Sequence, residues 1–273
     1  DTARDLAEDK MANEHAANFD LTGSVVFITG PARGLGRASA LACAAAGADL
    51  VLGYRDKAKD SGLTAEIERM GRKVLPLQLD VLKLEQIKDG VQRALDVFGR
   101  IDVLLNNVGV GPENPAVKVT EADFDYTVDA NLKGTFFMTQ AVGRTMIERK
   151  RGRIINMSSQ AGSVVLHGEA IYCMTKAAIN HLTRCLASEW APHNVTVNSV
   201  APTFIKTDGT APALSDPDFK RRTLAHIPLG RIGDPKDVAG VVVFLASPAA
   251  ALITGTNILV DGGWSVADMR SAL

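Results

Sequence analysis

The chain has 273 residues, 46% of them apolar, with a formal net charge of −1. That length and composition bury a substantial core, and the near-zero charge excludes a dedicated binder of nucleic acid or other polyanions. No apolar run is long enough to span a bilayer, the first residues hold no apolar signal core, and Cys43, Cys173 and Cys185 lack metal-site spacing. A cytoplasmic protein with reduced thiols, no resident metal and no membrane contact is therefore expected.

Residues 1–18 read as a polar extension. Short β-branched apolar runs then alternate with longer helical stretches. A strand over 24–29 leads to a helix over 36–46, and a strand over 49–53 to a helix over 57–70. Strands over 73–78 and 103–106 precede helical stretches at 84–98 and 121–149. Strands over 153–157 and 196–201, helices over 171–190 and 237–245, and a strand over 257–260 complete the pattern. Regular alternation implies right-handed βαβ crossovers, and nearly continuous apolar strands imply burial on both faces. The expectation is one α/β domain over 19–273, a doubly wound Rossmann-like parallel sheet of about seven strands. Residues 208–235, with Pro212, Pro217, Pro228 and Pro235, break the alternation and read as a mobile lid over a substrate.

Thr29-Gly-Pro-Ala-Arg-Gly-Leu-Gly36 stands where the first strand enters the first helix. Ligands of doubly wound sheets bind beyond the carboxyl ends of the strands. Gly30, Gly34 and Gly36 permit a tight turn, and the helix start at Leu35 offers free N–H groups to a pyrophosphate. The spacing is G-x-x-x-G-x-G, and the absence of Gly-Lys-Ser/Thr excludes a Walker A loop. The second strand ends in Val51-Leu52-Gly53-Tyr54-Arg55, without an acid for the 2′-hydroxyl of NAD. Arg55 and Arg33 are candidate grips for a 2′-phosphate, with Tyr54 beside them. Asp56 either neutralises Arg55 or approaches the ribose itself. NADP(H) is the preferred cofactor, with NAD(H) as the alternative.

Tyr172 and Lys176 sit at i and i+4, so both project from one helical face. A phenol has a reference pKa near 10, and lowering it to ~7 takes roughly 4 kcal/mol of differential stabilisation. A nearby ammonium works in that direction.

With these motifs the sequence resembles the short-chain dehydrogenase/reductase superfamily over residues 19–265. The resemblance rests on the glycine turn, Leu79-Asp80-Val81, Asn106-Asn107-Val108-Gly109, Asn131, Ser158-Ser159, Tyr172-x-x-x-Lys176, Pro202 and Asp261-Gly262-Gly263. It implies that Tyr172 is the general acid or base and that Ser159 holds the substrate oxygen. It further implies that Lys176 holds the nicotinamide ribose and depresses the pKa of Tyr172, while Asn131 positions a water in the proton relay. Ser158 is read as a structural hydrogen-bonding serine. On the cofactor side the resemblance implies contacts from Asp80 and Val81 to the adenine. Asn107 and Gly109 would border the adenosine side, and Pro202, Ile205 and Thr207 the nicotinamide. Val108 replaces the family's usual alanine, a change that should be tolerated. Thr203 replaces a usual glycine, which puts the path of that loop in question.

The stretch before Tyr172 should line the substrate pocket, where His167 and Glu169 face either a polar substrate or solvent. Trp264 either covers the pocket or packs at a subunit interface. The expected reaction is interconversion of a secondary alcohol and a ketone, on a sugar, polyol or related small molecule. A 3-oxoacyl thioester reductase and a catalytically silent NAD(P)-binding regulatory protein are the alternatives. An epimerase or dehydratase is disfavoured, because such relatives carry a longer C-terminal substrate domain. The family also implies a homo-oligomer, tetramer or dimer, built on the helices around 121–149 and 171–190.

Overall fold

The computed structural model describes residues 17–267, so most of the expected extension over 1–18 lies outside the described residues. In chain order the elements are β1 (Val25–Thr29), α1 (Gly34–Ala45), β2 (Asp49–Tyr54), α2 (Leu63–Arg69), β3 (Val74–Gln78) and α3 (Leu84–Phe98). Then come β4 (Val103–Asn106), α4 (Glu121–Val128), α5 (Gly134–Glu148), β5 (Gly152–Met157) and α6 (Ala170–Trp190). The last are β6 (Val195–Pro202), α7 (Ala211–Leu214), α8 (Pro217–Ala225), α9 (Pro235–Ala246) and β7 (Asn257–Val260).

The strands form one seven-stranded sheet in the order β3-β2-β1-β4-β5-β6-β7, every pairing parallel. All five residues of β1 are buried, because alternate side chains feed two separate cores. Val26 and Ile28 join one core, and Val25 and Phe27 join the other. Fully burying such a side chain contributes about 1.5–3 kcal/mol, which explains why these strands carry no polar alternation. Helices α1 and α9 pack together beside the first core, and α3 and α5 beside the second. Strand order reverses between β1 and β4, which opens a crevice at the carboxyl end of β1. At the opposite end, buried Asp102 accepts from Val25 N at 2.9 Å, Arg100 Nε at 2.8 Å and Arg149 Nη2 at 2.9 Å. This pins the start of β1 to β4, away from the crevice.

Two expected helices differ from the structure. The stretch at 57–70 is a short 3-10 turn, Lys57–Lys59, followed by α2, because Ser61 and Gly62 take positive φ values of 50° and 78°. The stretch at 121–149 is two α-helices joined by a π-helical segment, Asp129–Lys133. A capping box, Thr120 with Asp123, starts α4. None of the helices is long and apolar enough to cross a membrane, among the described residues.

Candidate active site

The glycine turn builds one end of the crevice. Gly30 and Gly34 take φ values of +66° and +56°, where a Cβ is strained. At Gly36 a Cβ would collide with the Gly30 carbonyl oxygen and stand 2.6 Å from Asn107 Nδ2. Asn107 fixes the turn by donating through Nδ2 to the carbonyls of Thr29 at 3.1 Å and Gly30 at 3.0 Å. No side chain caps the N-terminus of α1, and its first turn holds no acid. The N–H groups of that turn are thus left without a side-chain partner. Gly36→Ala is expected to weaken NADPH binding by more than tenfold and to lower the melting temperature, since the neighbours it meets are backbone and a fully engaged amide. Unchanged binding by fluorescence titration would show that the turn yields.

A cleft of about 1920 Å³ runs from this turn to Tyr172 and Lys176. Of the residues expected to bind cofactor, Gly30, Arg33, Gly34, Leu35, Arg55, Asn107, Gly109, Pro202, Ile205 and Thr207 line it. Arg33 and Arg55 are both exposed, and Arg55 Nη1 lies 3.3 Å from the Tyr126 hydroxyl. Asp56 instead accepts from Ala58 N and caps the Lys57–Lys59 turn. Three further expected cofactor residues have partners within the chain. Tyr54 also borders the cleft, but its ring is buried in the core and its hydroxyl donates to Asp60, so it offers no free polar group. Asp80 and Val81 do not line the cleft. Val81 packs beneath Gly134, while Asp80 is held by Gln86 and accepts from Leu82 N.

At the other end, Ser159 stands just beyond β5, and Tyr172 and Lys176 share one face of α6. Lys176 is 3% exposed, its Nζ donating to Met157 O at 2.8 Å and lying 5.5 Å from the centre of the Tyr172 ring. Burial pulls the Lys176 ammonium down to about 8. Burial also pushes the Tyr172 phenol up to about 12, with the Ser159 hydroxyl pulling the other way and Glu169 adding to the rise. Desolvation is the largest influence on the phenol in the protein without its cofactor. Ser158 is the structural serine, its hydroxyl 2.6 Å from Asn180 Oδ1.

Asn131 sits inside the π-helical segment, nearly fully buried. Its Oδ1 accepts from Val110 N at 2.8 Å, and its Nδ2 donates to Val110 O at 2.8 Å and to Thr175 Oγ1 at 3.0 Å. It therefore clamps the loop after β4 against α6 and makes no direct bond to Lys176. That loop carries two contacts the sequence reading missed. Lys176 Nζ would be 3.2 Å from a Cβ on Gly109, and the Tyr172 ring 2.8 Å from one on Gly111. The second glycine of Val108-Gly109-Val110-Gly111 was the available signal.

Thr203 needs no left-handed backbone, so the loss of glycine there leaves the loop unstrained. Its N–H donates to Val260 O at 3.1 Å, and its hydroxyl is buried without a partner at the cleft wall. Val108 packs against Gly30 and the second core. Neither His167 nor Glu169 lines the cleft, His167 being exposed and Glu169 half-buried. Thr207 closes over Gly34, so the segment after β6 lies against the glycine turn. Trp264 packs within the chain, stacked on His226 at 4.9 Å and on Phe204 at 5.8 Å between ring centres. Phe204 in turn meets Phe219 of α8 edge-on at 5.5 Å.

A family model described as enoyl-(acyl carrier protein) reductase matches residues 30–265. A 3-oxoacyl-[acyl-carrier-protein] reductase of Synechocystis sp. is 40% identical over 245 residues, 89% of this chain and 97% of that protein. An NAD-dependent glycerol dehydrogenase of Listeria innocua is 40% identical over 253 residues, 91% of this chain and 96% of that protein. Among solved structures, a gluconate 5-dehydrogenase from Burkholderia cenocepacia in complex with NADP and tartrate superposes with a TM-score of 0.89 at 31% identity. That match covers 92% of this chain and 99% of the other.

Proposed function

The chain belongs to the short-chain dehydrogenase/reductase superfamily and is an NAD(P)-dependent oxidoreductase acting on CH–OH groups, and on that premise we propose that it interconverts a secondary alcohol and a ketone with NADP(H), using Tyr172 as acid and base. The observation that carries this reading is convergence. Ser159, Tyr172 and Lys176 meet at one end of the cleft whose other end is the glycine turn, with Asn131 clamping the loop between.

The residues at the turn fit a dinucleotide. The uncapped start of α1 and the glycine cradle suit a pyrophosphate, and the guanidinium groups of Arg33 and Arg55 suit a 2′-phosphate. NAD(H) remains the alternative cofactor, as in the glycerol dehydrogenase relative. Lys176, Pro202, Ile205 and Thr207 would hold the nicotinamide half. When bound, the nicotinamide supplies the hydride in reduction and accepts it in oxidation. Ser159 donates a hydrogen bond to the substrate oxygen and fixes the carbonyl for attack. Tyr172 delivers its phenolic proton to that oxygen, so ketone, hydride and proton give the alcohol. A phenol raised to about 12 keeps its proton across the neutral range, which suits the reducing direction.

Lys176 sets the alkaline limit. Its folded pKa of about 8 lies below its ordinary value, so the charge is lost as pH rises through 8. If the charged form serves the reaction, kcat/KM for reduction is level below pH 8 and falls about tenfold per unit above it. A profile level to pH 10 would remove the charge of Lys176 from the reaction.

A second reading, reduction of a 3-oxoacyl thioester by the same chemistry, draws support from the Synechocystis relative. A screen of ketones, sugars, polyols and 3-oxoacyl thioesters with both cofactors separates the two. NADPH binding with no turnover across that screen would leave a silent binding protein. The reading includes one catalytic domain over 19–273, with 208–235 as its lid. It also includes a homo-oligomer through the exposed Phe124, Tyr126, Phe136 and Met174 on α4, α5 and α6, to be measured by sedimentation.

A further inference from the structure

A buried hydroxyl or amide ordinarily finds a hydrogen-bond partner, and one that does not calls for an explanation. Among the described residues three buried side-chain atoms have none: Ser39 Oγ, Gln160 Oε1 and Thr203 Oγ1. Ser39 lies within α1. The other two stand just beyond neighbouring strands, at the reacting end of the cleft. Gln160 directly follows Ser159 and is 1% exposed. Thr203 directly follows β6 and lines the cleft, together with Ser159, Tyr172 and Lys176.

Register and pleat place Thr203. Pairing of β5 with β6 sets Met157 beside Val200, which carries Ser159 to the level of Pro202, one residue short of Thr203. The ladder from β6 to β7 runs on past the strand: Ser199 N donates to Thr256 O at 2.9 Å, and Thr203 N to Val260 O at 3.1 Å. Side chains alternate between faces along such a backbone. Val195 and Val197 face the second core, with Leu186 and Trp190 of α6, and Thr203 falls on that same face. This is the side of the sheet covered by the helix that carries Tyr172 and Lys176. Turning one side-chain bond exchanges the hydroxyl and methyl of a threonine, so the hydroxyl reaches the cleft with no movement of backbone.

We propose that Thr203, seconded by Gln160, is a specificity-determining residue that hydrogen-bonds a hydroxyl next to the reacting carbonyl, so that α-hydroxy ketones and the matching vicinal diols are the substrate class. The inference deepens the alcohol/ketone reading above and rests on it. Ser159 and Tyr172 are spent on the reacting oxygen, so a second polar anchor reads a second oxygen. A threonine hydroxyl both donates and accepts, and an amide oxygen accepts, which together suit a hydroxyl. A site built of buried polar groups discriminates strongly, because an analogue lacking the hydroxyl leaves them unpaired. The same unpaired hydroxyl costs the free protein stability. The relatives leave the class open, since their names span a thioester reductase, a glycerol dehydrogenase and a gluconate dehydrogenase.

The test uses the full chain loaded with NADPH and two probes that differ by one hydroxyl, 1-hydroxy-2-butanone and 2-butanone. Binding is read from NADPH fluorescence, and reduction from NADPH consumption. The wild type is expected to bind the hydroxy ketone at least tenfold tighter than the plain ketone. Thr203→Val keeps the branched shape without the hydroxyl and should bring the two within about threefold, at an equal or higher melting temperature. Thr203→Ser keeps the hydroxyl and should keep the preference, while Gln160→Leu should lose part of it. No wild-type preference, a ratio unmoved in Thr203→Val, or no measurable binding of either probe would overturn the proposal. So would a loss of NADPH affinity in Thr203→Val, which would put the hydroxyl on the cofactor, or a lowered melting temperature, which would give it a partner in the protein. A preference that collapses in Thr203→Val without reduction of either probe would instead overturn the oxidoreductase reading, leaving the hydroxyl contact standing.

Discussion

Tyr172→Phe is expected to lower kcat for ketone reduction by about 10²–10⁴-fold while leaving the Kd for NADPH largely unchanged. The substitution removes one oxygen and keeps the ring, and the ring is what packs against Gly111 and lies 5.5 Å from the Lys176 ammonium. The loop after β4 stays clamped by Asn131, whose bonds go to Val110 and Thr175 and not to the phenol. Fold and cofactor cleft therefore survive, and the loss falls on proton delivery alone. Stopped-flow turnover beside a fluorescence titration of NADPH separates the two quantities. Retained turnover would remove Tyr172 from its role, and lost NADPH binding would show that the hydroxyl is structural.

The second large effect concerns cofactor choice. Replacing Arg33 and Arg55 together by alanine should weaken NADPH by roughly 100-fold and NADH hardly at all. Hydrogen bonds to charged groups contribute about 1.5–3 kcal/mol each, and tenfold in affinity is about 1.4 kcal/mol. Both side chains are exposed, so the lower end of that range applies and the effect should shrink as salt rises. Arg37 is not expected to compensate, because its guanidinium is held by Glu66 at 2.5 Å. Equal losses for the two cofactors would show that neither arginine reads the 2′-phosphate.

Much of this was legible in the sequence, for reasons visible in particular residues. The strands were readable because both faces of the sheet are buried, so Val25-Val26-Phe27-Ile28 needs no polar residue to punctuate it. Tyr172 and Lys176 were readable because helical spacing alone puts them on one face. The π-helical segment was not, since Asp129–Lys133 holds neither glycine nor proline and changes only the backbone bonding pattern. The place of Tyr54 at the tip of β2 says nothing of where its ring turns. The ring goes inward and the hydroxyl finds Asp60. Nor does sequence position show that Asp80 N donates to Gln86 Oε1, that its Oδ1 accepts from Leu82 N, or that Val81 packs against Gly134. The approach of Glu113 to Gly168 joins segments more than fifty positions apart, and no local pattern announces it.

The stacking of Trp264 on Phe204 and His226 carries a consequence for the order in which the protein is made. Phe204 and Phe219 emerge from the ribosome well before the tryptophan that covers them. Until β7 has added to the sheet edge and the turn behind it has formed, Phe204 and His226 lack the indole that stacks on them. A nascent chain would thus form its glycine turn early, and this aromatic stack would be assembled last.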